Sequence, residues 1–493
     1  MDVPRTGHRH EKGSAAHPSR RKRFLIVSDS VGSPIHARGS YHYTINLMRA
    51  LQRCGHEVCL LVEQPPGYRI QRRRETRLTA RPEAPGHDER LAKVYEYLWP
   101  ADHDGNYPAR IRLQRLVTSL YLLYLALPLL SPLGVKLLRR RRAILRQDAL
   151  PNRPQELDFV PSRLDHLRTC SELVLCDAAY SLSLSACHLG LGAPTIDARG
   201  FDVVLVDTPS FFRFDVSPGA ETVAVIHDLI PLTDPIMRGF SCRLFSRRIT
   251  ETLAGADSLI FVSDSTRREF CETFPSSAAT IATVLHPSVA DDIADEAGFH
   301  ASAENPRTGV MGANGPDADY MISIVSDEPR KNIANLLSAW ALLPAGIGLK
   351  LVGYVDPERY GLSRPDGTPS RVEVLGYVDE ATKKRLLTGA VGLVMPSYCE
   401  GFGIPLVEAS FFGKPVFCSD LPVFHEVMGE NAIYFEPSSP ESIADAIRTY
   451  LDDPAAVREQ IRGGREECRR RFSLTALTEC VADRFGDASS QPL

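Results

Sequence analysis

The strongest constraint on what this chain can fold into is a rhythm of short apolar runs alternating with helix-period segments, met twice along its length. Phe24-Leu25-Ile26-Val27 reads as a buried strand. A loop with Gly32 and Gly39 follows, then a helix through Ile45, Leu47, Met48 and Leu51 that ends near Gly55, then a strand over Val58 to Val62. That is a βαβ unit and implies a parallel sheet. The rhythm resumes near residue 170 with strands expected at 173–175, 203–206, 223–226 and 259–262. After a Gly-, Ala-, Asp- and Asn-rich tract at 291–319, it repeats. Strands are expected at 321–325, 349–352, 372–375, 391–395 and 415–418, and helices at 331–343, 379–390, 404–412 and 440–451. Two such series predict an α/β protein of two doubly wound Rossmann-like domains facing a cleft, with ligands at the carboxyl ends of the strands.

The expected division is a disordered basic arm (1–23) and an N-terminal Rossmann-like domain (24–300) with an insertion at about 66–170. A linker (301–319), a C-terminal Rossmann-like domain (320–472) and a C-terminal helix and tail (473–493) follow. With 493 residues, 43% apolar and 24% charged, the chain is ordinary globular protein, which excludes whole-chain disorder, collagen and a disulfide scaffold.

The net charge of −4 hides an uneven distribution. Residues 1–150 carry 27 Lys/Arg against 13 Asp/Glu, and the remainder carries 30 against 48. The basic front contains no zinc-finger spacing and no aromatic RNP-like string, so no nucleic-acid partner is expected. It does contain an uncharged apolar run, residues 116–135, followed closely by Arg139-Arg140-Arg141-Arg142. Pro128, Pro132 and Gly134 break its second half, so docking of 116–142 on an anionic membrane surface is favoured over a true span or a core helix. No secretory h-region follows the basic start, and the eleven scattered cysteines form no C-x-x-C pair. Both point to a cytoplasmic protein with reduced thiols, and the 116–142 segment to a peripheral position on the inner face of the membrane.

Four constellations carry chemistry. At 395–413, a strand ends at Met395, a loop holds Glu400, Gly401, Phe402 and Gly403, and a helix begins near Ile404 with Pro405 in its first turn and Gly413 closing it. A helix start suits phosphate oxygens, and glycines admit close approach to the backbone. Glu400 and Glu408 can face one ligand across that helix start and accept hydrogen bonds from sugar hydroxyls. The second constellation, Arg330-Lys331-Asn332, also lies between a strand and a helix, and its two cations suit a diphosphate. The third is the His227-Asp228 pair just past a strand, and the fourth is Arg38-Gly39-Ser40 in the first βαβ loop. Read singly, these could be a capped surface helix, a charged helix start, a structural histidine and an ordinary turn. Two Asp-x-Asp triplets, 102–104 and 317–319, follow no strand, so no metal is expected.

In order and spacing these features resemble the retaining nucleotide-sugar glycosyltransferases of glycosyltransferase family 4, which have the GT-B fold. The likeness runs from about Met321 to Asp445, including Leu375-Gly376-Tyr377-Val378 and the Glu-x7-Glu block, and more weakly over 24–62 and 203–287. It implies a catalytic set of His227, Arg330, Lys331 and Glu400. Glu400 would hold donor-sugar hydroxyls beside the backbone of Gly401, Phe402, Gly403 and Ile404, and Glu408 the ribose. Lys331 with Arg330 would neutralise the diphosphate, Val378 would contact the base, and Gly39 would let the first loop close over the phosphates. The stretch Ile322–Ser326 departs from the family, which often carries Gly-Arg or Gly-Thr there. The implied activity is transfer of a sugar, with a lean to mannose from GDP-mannose, to a glycan or lipid-linked acceptor in polysaccharide biosynthesis, with no cofactor. The alternative is a degenerate GT-B module that binds sugar nucleotide, or scaffolds a glycan complex, without turnover.

Overall fold

The computed structural model describes residues 21–29, 39–64, 144–145, 147–151, 167, 170–177, 179–234, 240–275, 281–289, 319–362 and 371–486. The expected membrane-docking segment, the Arg-rich insertion up to residue 143, the arm through residue 20 and nearly all of the linker lie outside them.

The N-terminal lobe is built on β1 (Arg23–Val27), β2 (Glu57–Gln64), β3 (Ile144–Leu145), β4 (Gln147–Pro151), β5 (Glu172–Asp177), β6 (Thr195–Asp197), β7 (Val203–Val206), β8 (Arg213–Asp215), β9 (Glu221–Ile226), β10 (Ser258–Phe261) and β11 (Ile281–Val284). Eight of them form one sheet in the order β11-β10-β9-β7-β1-β2-β5-β4, parallel except for β4 against β5. β3, β6 and β8 form a small parallel sheet. The apolar strand runs at 24–27 and 203–206 are buried because helices cover both faces of such a sheet. Two of those helices matter for the site, α1 (Gly39–Arg53) and α2 (Asp264–Thr273).

Arg23, counted with the basic arm from its composition, is instead the first residue of β1. Its guanidinium pairs with Glu57 on β2 and Glu172 on β5, so the charges that made it look like tail tie three strands together at their amino ends. No disulfide links any of the eleven cysteines.

The C-terminal lobe holds β12 (Tyr320–Ile324), β13 (Gly348–Val352), β14 (Val372–Gly376), β15 (Gly392–Met395), β16 (Val416–Ser419) and β17 (Ile433–Phe435) in one wholly parallel sheet. The order is β14-β13-β12-β15-β16-β17, the doubly wound arrangement with its reversal between β12 and β15. Around it lie α3 (Ile333–Leu342), α4 (Glu380–Gly389), α5 (Ile404–Phe411), α6 (Pro422–Met428), α7 (Pro440–Asp452) and α8 (Gly464–Phe472), and α9 (Leu474–Phe485) follows them in the chain. The expected strands and helices of this half occur within two residues of their predicted ends, and α6, β17, a short helix over Pro454–Gln460 and α8 are additional.

The last helix belongs to the other lobe. α9 packs along α1, with Phe485 edge-on to Phe24 at 5.1 Å and Arg484 paired to Glu221. The chain crosses where Val289 N–H donates to Phe472 O at 2.8 Å. One apolar cluster therefore runs without a break from Phe24, Leu47 and Val58 through Leu477 and Val481 to Phe402, Leu406 and Phe424. Among the described residues no helix is long and apolar enough to cross a membrane.

Candidate active site

The sheet reversal between β12 and β15 opens a crevice at the carboxyl ends of those strands. Arg330 and Lys331 follow β12 in a 3-10 turn (Pro329–Lys331), and the 396–403 loop follows β15. Asn332 fixes the turn. It takes the left-handed conformation (φ 56°), which asparagine tolerates better than most residues, and among the described residues no other non-glycine does so. Its buried amide donates to Pro396 O (2.9 Å) and Pro437 O (2.7 Å), tying the turn to the segments that follow β15 and β17.

That turn delivers two cations onto one carboxylate. Lys331 Nζ lies 2.5 Å from Glu400 Oε1, and Arg330 Nη1 lies 3.1 Å from Oε2. Burial alone would push the Glu400 carboxyl up, but the Lys331 and Arg330 charges outweigh it and hold the group below its ordinary range. Arg330 is likewise desolvated, yet its acidic neighbours Glu400, Glu328 and Asp228 raise it, so it stays a cation.

Beyond Glu400 the loop turns into α5. Gly403 caps the helix at φ 100°, and Pro405 sits in its first turn, where a missing N–H costs nothing. The far end closes in a Schellman arrangement: Gly413 (φ 66°) donates to Ser410 O, and Lys414 N–H donates to Ala409 O. Phe402 is buried against His286 and Phe472, so its side chain anchors the loop. Ile404 is half-buried, and Glu408, one helical stretch on, is 5% exposed and ion-paired with Lys383 of α4 at 2.8 Å. Val378 is half-buried between β14 and α4, and Gly39 opens α1.

The N-terminal lobe meets this loop directly. A Cβ on Gly401 would lie 2.1 Å from His227 O, so only glycine lets the two motifs pack this closely. Gly401 O accepts from Ser263 Oγ (2.9 Å) and Thr266 Oγ1 (3.2 Å) at the start of α2. Glu426 of α6 reaches back to accept the N–H groups of Asp264 and Ser265 at 2.7 and 2.8 Å, and it contacts His286 Nε2 at 3.1 Å. His227, Arg330, Lys331 and Glu400 are thus gathered in one neighbourhood, with Glu408 further along α5.

Sequence reasoning looked for a partner to His227 in the adjacent Asp228. The structure supplies Asp207 instead, the first residue past β7. Its fully buried carboxylate contacts His227 Nε2 at 3.2 Å and accepts from Ser28 Oγ (2.9 Å) and Thr44 Oγ1 (2.6 Å). Asp228 turns inward to cap Ile230 N–H at 3.1 Å, and burial raises its carboxyl. Burial alone would lower the His227 pKa, but Asp207 outweighs it and the net shift is upward. Asp207 and Lys383 were both missed. Asp207 lies in no motif, though a polar residue directly after a buried strand run was a usable signal. Lys383 looked like one of several charges on a solvated helix. Of the Asp-x-Asp residues, Asp319 leads into the amino end of β12, away from the crevice, and the others lie outside the described residues.

Residues 313–467 match the family model described as glycosyl transferases group 1. An O-antigen chain mannosyltransferase B of Escherichia coli is 28% identical over 240 residues, 47% of this chain and 61% of that protein. A serotype-specific mannosyltransferase of E. coli is 29% identical over 260 residues, 48% of this chain and 30% of that protein. The matches thus span less than two thirds of the length of these relatives. A phosphatidyl-myo-inositol mannosyltransferase of Mycobacterium leprae is 33% identical over 153 residues, 29% of this chain and 40% of that one. Among solved structures, sucrose-phosphate synthase of Thermosynechococcus elongatus superposes with a TM-score of 0.56 at 16% identity, covering 94% of this chain and 98% of that one. HepE of Anabaena in complex with UDP-glucose superposes with a TM-score of 0.51 at 13% identity, covering 94% and 99%. These likenesses show the fold, two Rossmann-like domains in the GT-B arrangement. Over residues 313–467, which hold the cation turn and the loop-to-helix start, the C-terminal lobe is similar to the glycosyl transferases group 1 family.

Proposed function

We propose that this chain is a retaining glycosyltransferase that moves a hexose, mannose from GDP-mannose, to a glycan or lipid-linked acceptor in polysaccharide assembly. The observation that carries the reading is the convergence of Arg330 and Lys331 on Glu400 at the sheet reversal, with the His227 strand end of the other lobe packed on Gly401. Breaking the anomeric C–O bond leaves negative charge growing on a diphosphate and positive charge on the sugar. Two fixed cations beside a helix start stabilise the leaving group without rearrangement at the moment of reaction. Glu400 keeps those cations in place, and each of its oxygens retains lone-pair capacity for a sugar hydroxyl. Glu408 would hold the ribose, the Val378 backbone the base, and Gly39 the closing first loop. In front-face attack the departing phosphate oxygen accepts the proton of the acceptor hydroxyl, and the new C–O bond forms on the face the diphosphate leaves. The mannose assignment is supported by the relatives, several of which are mannosyltransferases. A lipid-linked acceptor fits the uncharged 116–135 run and the arginines that follow it.

A thermal-shift panel of GDP- and UDP-sugars, followed by transfer of radiolabelled sugar to a membrane extract, tests this. GDP-mannose is expected to raise the melting temperature by mass action and to be turned over. Preference for a UDP-sugar would overturn the donor assignment. Binding of some donor with turnover of none would favour the non-catalytic module. Deleting 116–142 is expected to release the protein from membranes, and wild type already free of membranes in low salt would remove the docking element.

A further inference from the structure

Lys383 occupies a position that helix packing alone would give to an apolar residue. On α4 the two buried side chains are Lys383 and Leu387, one turn apart on the same face. Yet the Lys383 ammonium is not left to an apolar surround. Its Nζ lies 2.8 Å from Glu408 Oε1 on α5 and 2.9 Å from Glu380 Oε2 one turn earlier on α4. Lys383 is 9% exposed and Glu408 5%, whereas the Glu380 side chain is 54% exposed. The pair is therefore a buried cation set against a buried carboxylate, with an exposed carboxylate as a second support. Burial would lower the ammonium, but Glu408 and Glu380 outweigh it and hold it charged.

We infer that Lys383 is a positioning residue for the ribose-binding carboxylate Glu408. The inference rests on the nucleotide-sugar reading above and names a part of that site which the sequence motifs do not contain. A carboxylate next to a fixed ammonium is acceptor-only and held in one rotamer. One oxygen is oriented by Nζ, and the remaining lone pairs of the group accept from ribose hydroxyls. Without the ammonium, Glu408 would be a buried carboxylate that has lost its charged partner, with nothing from α4 to hold its rotamer towards the ribose. A salt bridge that only joined α4 to α5 would have no bearing on which nucleotide hydroxyls are recognised. That difference separates positioning from plain packing.

The test is a cycle between protein and ligand. GDP and UDP, each with its 2′-deoxy and 3′-deoxy analogue, are titrated calorimetrically into the full chain and into Lys383→Met, Lys383→Arg and Lys383→Met/Glu408→Gln. Wild type is expected to bind one ribonucleotide and to lose affinity when the hydroxyl held by Glu408 is removed. Lys383→Met is expected to weaken ribonucleotide binding by about 10- to 100-fold, the range of one lost charged hydrogen bond, and to shrink the deoxy penalty towards none. Lys383→Arg should restore part of both, and donor KM should rise more than kcat falls. If Lys383→Met unfolds, Lys383→Gln, which keeps Glu408 and removes only the charge, replaces it and should likewise shrink the deoxy penalty, with the double variant as the reference from which Glu408 itself is gone. A folded Lys383→Met or Lys383→Gln that discriminates ribose from deoxyribose as sharply as wild type overturns the inference. Wild type that binds neither GDP nor UDP overturns the nucleotide-sugar reading itself, and the inference with it.

Discussion

The two lobes share one architecture and use it with opposite charge. Each sheet reverses once, the first between β1 and β7 and the second between β12 and β15. At the first reversal the residues just past the strands are Ser28 and Asp207, joined by Thr44 and His227 around a single buried carboxylate. At the second, Arg330 and Lys331 close on Glu400. The crevice comes with the topology. What sits in it is set by a handful of residues in the first positions after each strand, so two lobes of related topology can gather cations on one side and orient a histidine on the other.

The comparison breaks most readily at its cationic half. Lys331→Ala is expected to lower kcat by about 100-fold or more, since one preorganised contact to a developing anion is worth that much. A radiolabelled transfer assay reads it, and near-normal turnover would mean the leaving group is stabilised elsewhere. The N-terminal half is sharpened by Asp207→Asn, expected to cost about 1–3 kcal/mol because three polar partners lose a buried carboxylate. The same variant tests the pH behaviour. His227 is raised by Asp207 in the folded state, so its contribution to stability is fully present below the ordinary histidine value and is lost as pH rises through the folded one. Melting temperature measured from pH 5.5 to 8.5 should therefore fall through that window in wild type and stay flatter in Asp207→Asn; parallel curves would deny the coupling. Smallest is the contact between the halves. Glu426→Ala removes the carboxylate that caps α2 and meets His286, at a cost of about 0.5–2 kcal/mol by denaturant unfolding. Its effect on donor KM should exceed its effect on C-terminal-lobe nucleotide affinity if it serves lobe contact.

Periodicity made the sheets legible. Runs such as Val203–Val206 and Gly392–Met395 are buried on both faces and read as strands with little competition. The loop-to-helix block at 400–413 was legible for a different reason: glycine and proline have few positions they suit, and here Gly403, Pro405 and Gly413 occupy three of them. Asp207 and Lys383 were hidden because their roles come from partners 20 and 25 residues away, on other elements. Spacing along a chain encodes which residues share a helix face, but it does not encode which helix a charge will meet. Arg23 was misplaced on the same principle: its composition is that of the arm, and its fate was decided by Glu57 and Glu172.

The placement of α9 has a consequence for biosynthesis. Phe485 lies edge-on to Phe24, and Arg484 is tied to Glu221 and Ser258, so the first lobe lacks part of its own packing until residue 485 has left the ribosome. Newly made N-terminal lobes would wait, with the α1 surface uncovered, while the whole second lobe is synthesised. The packing of the first domain is thus completed only by residues translated after the second.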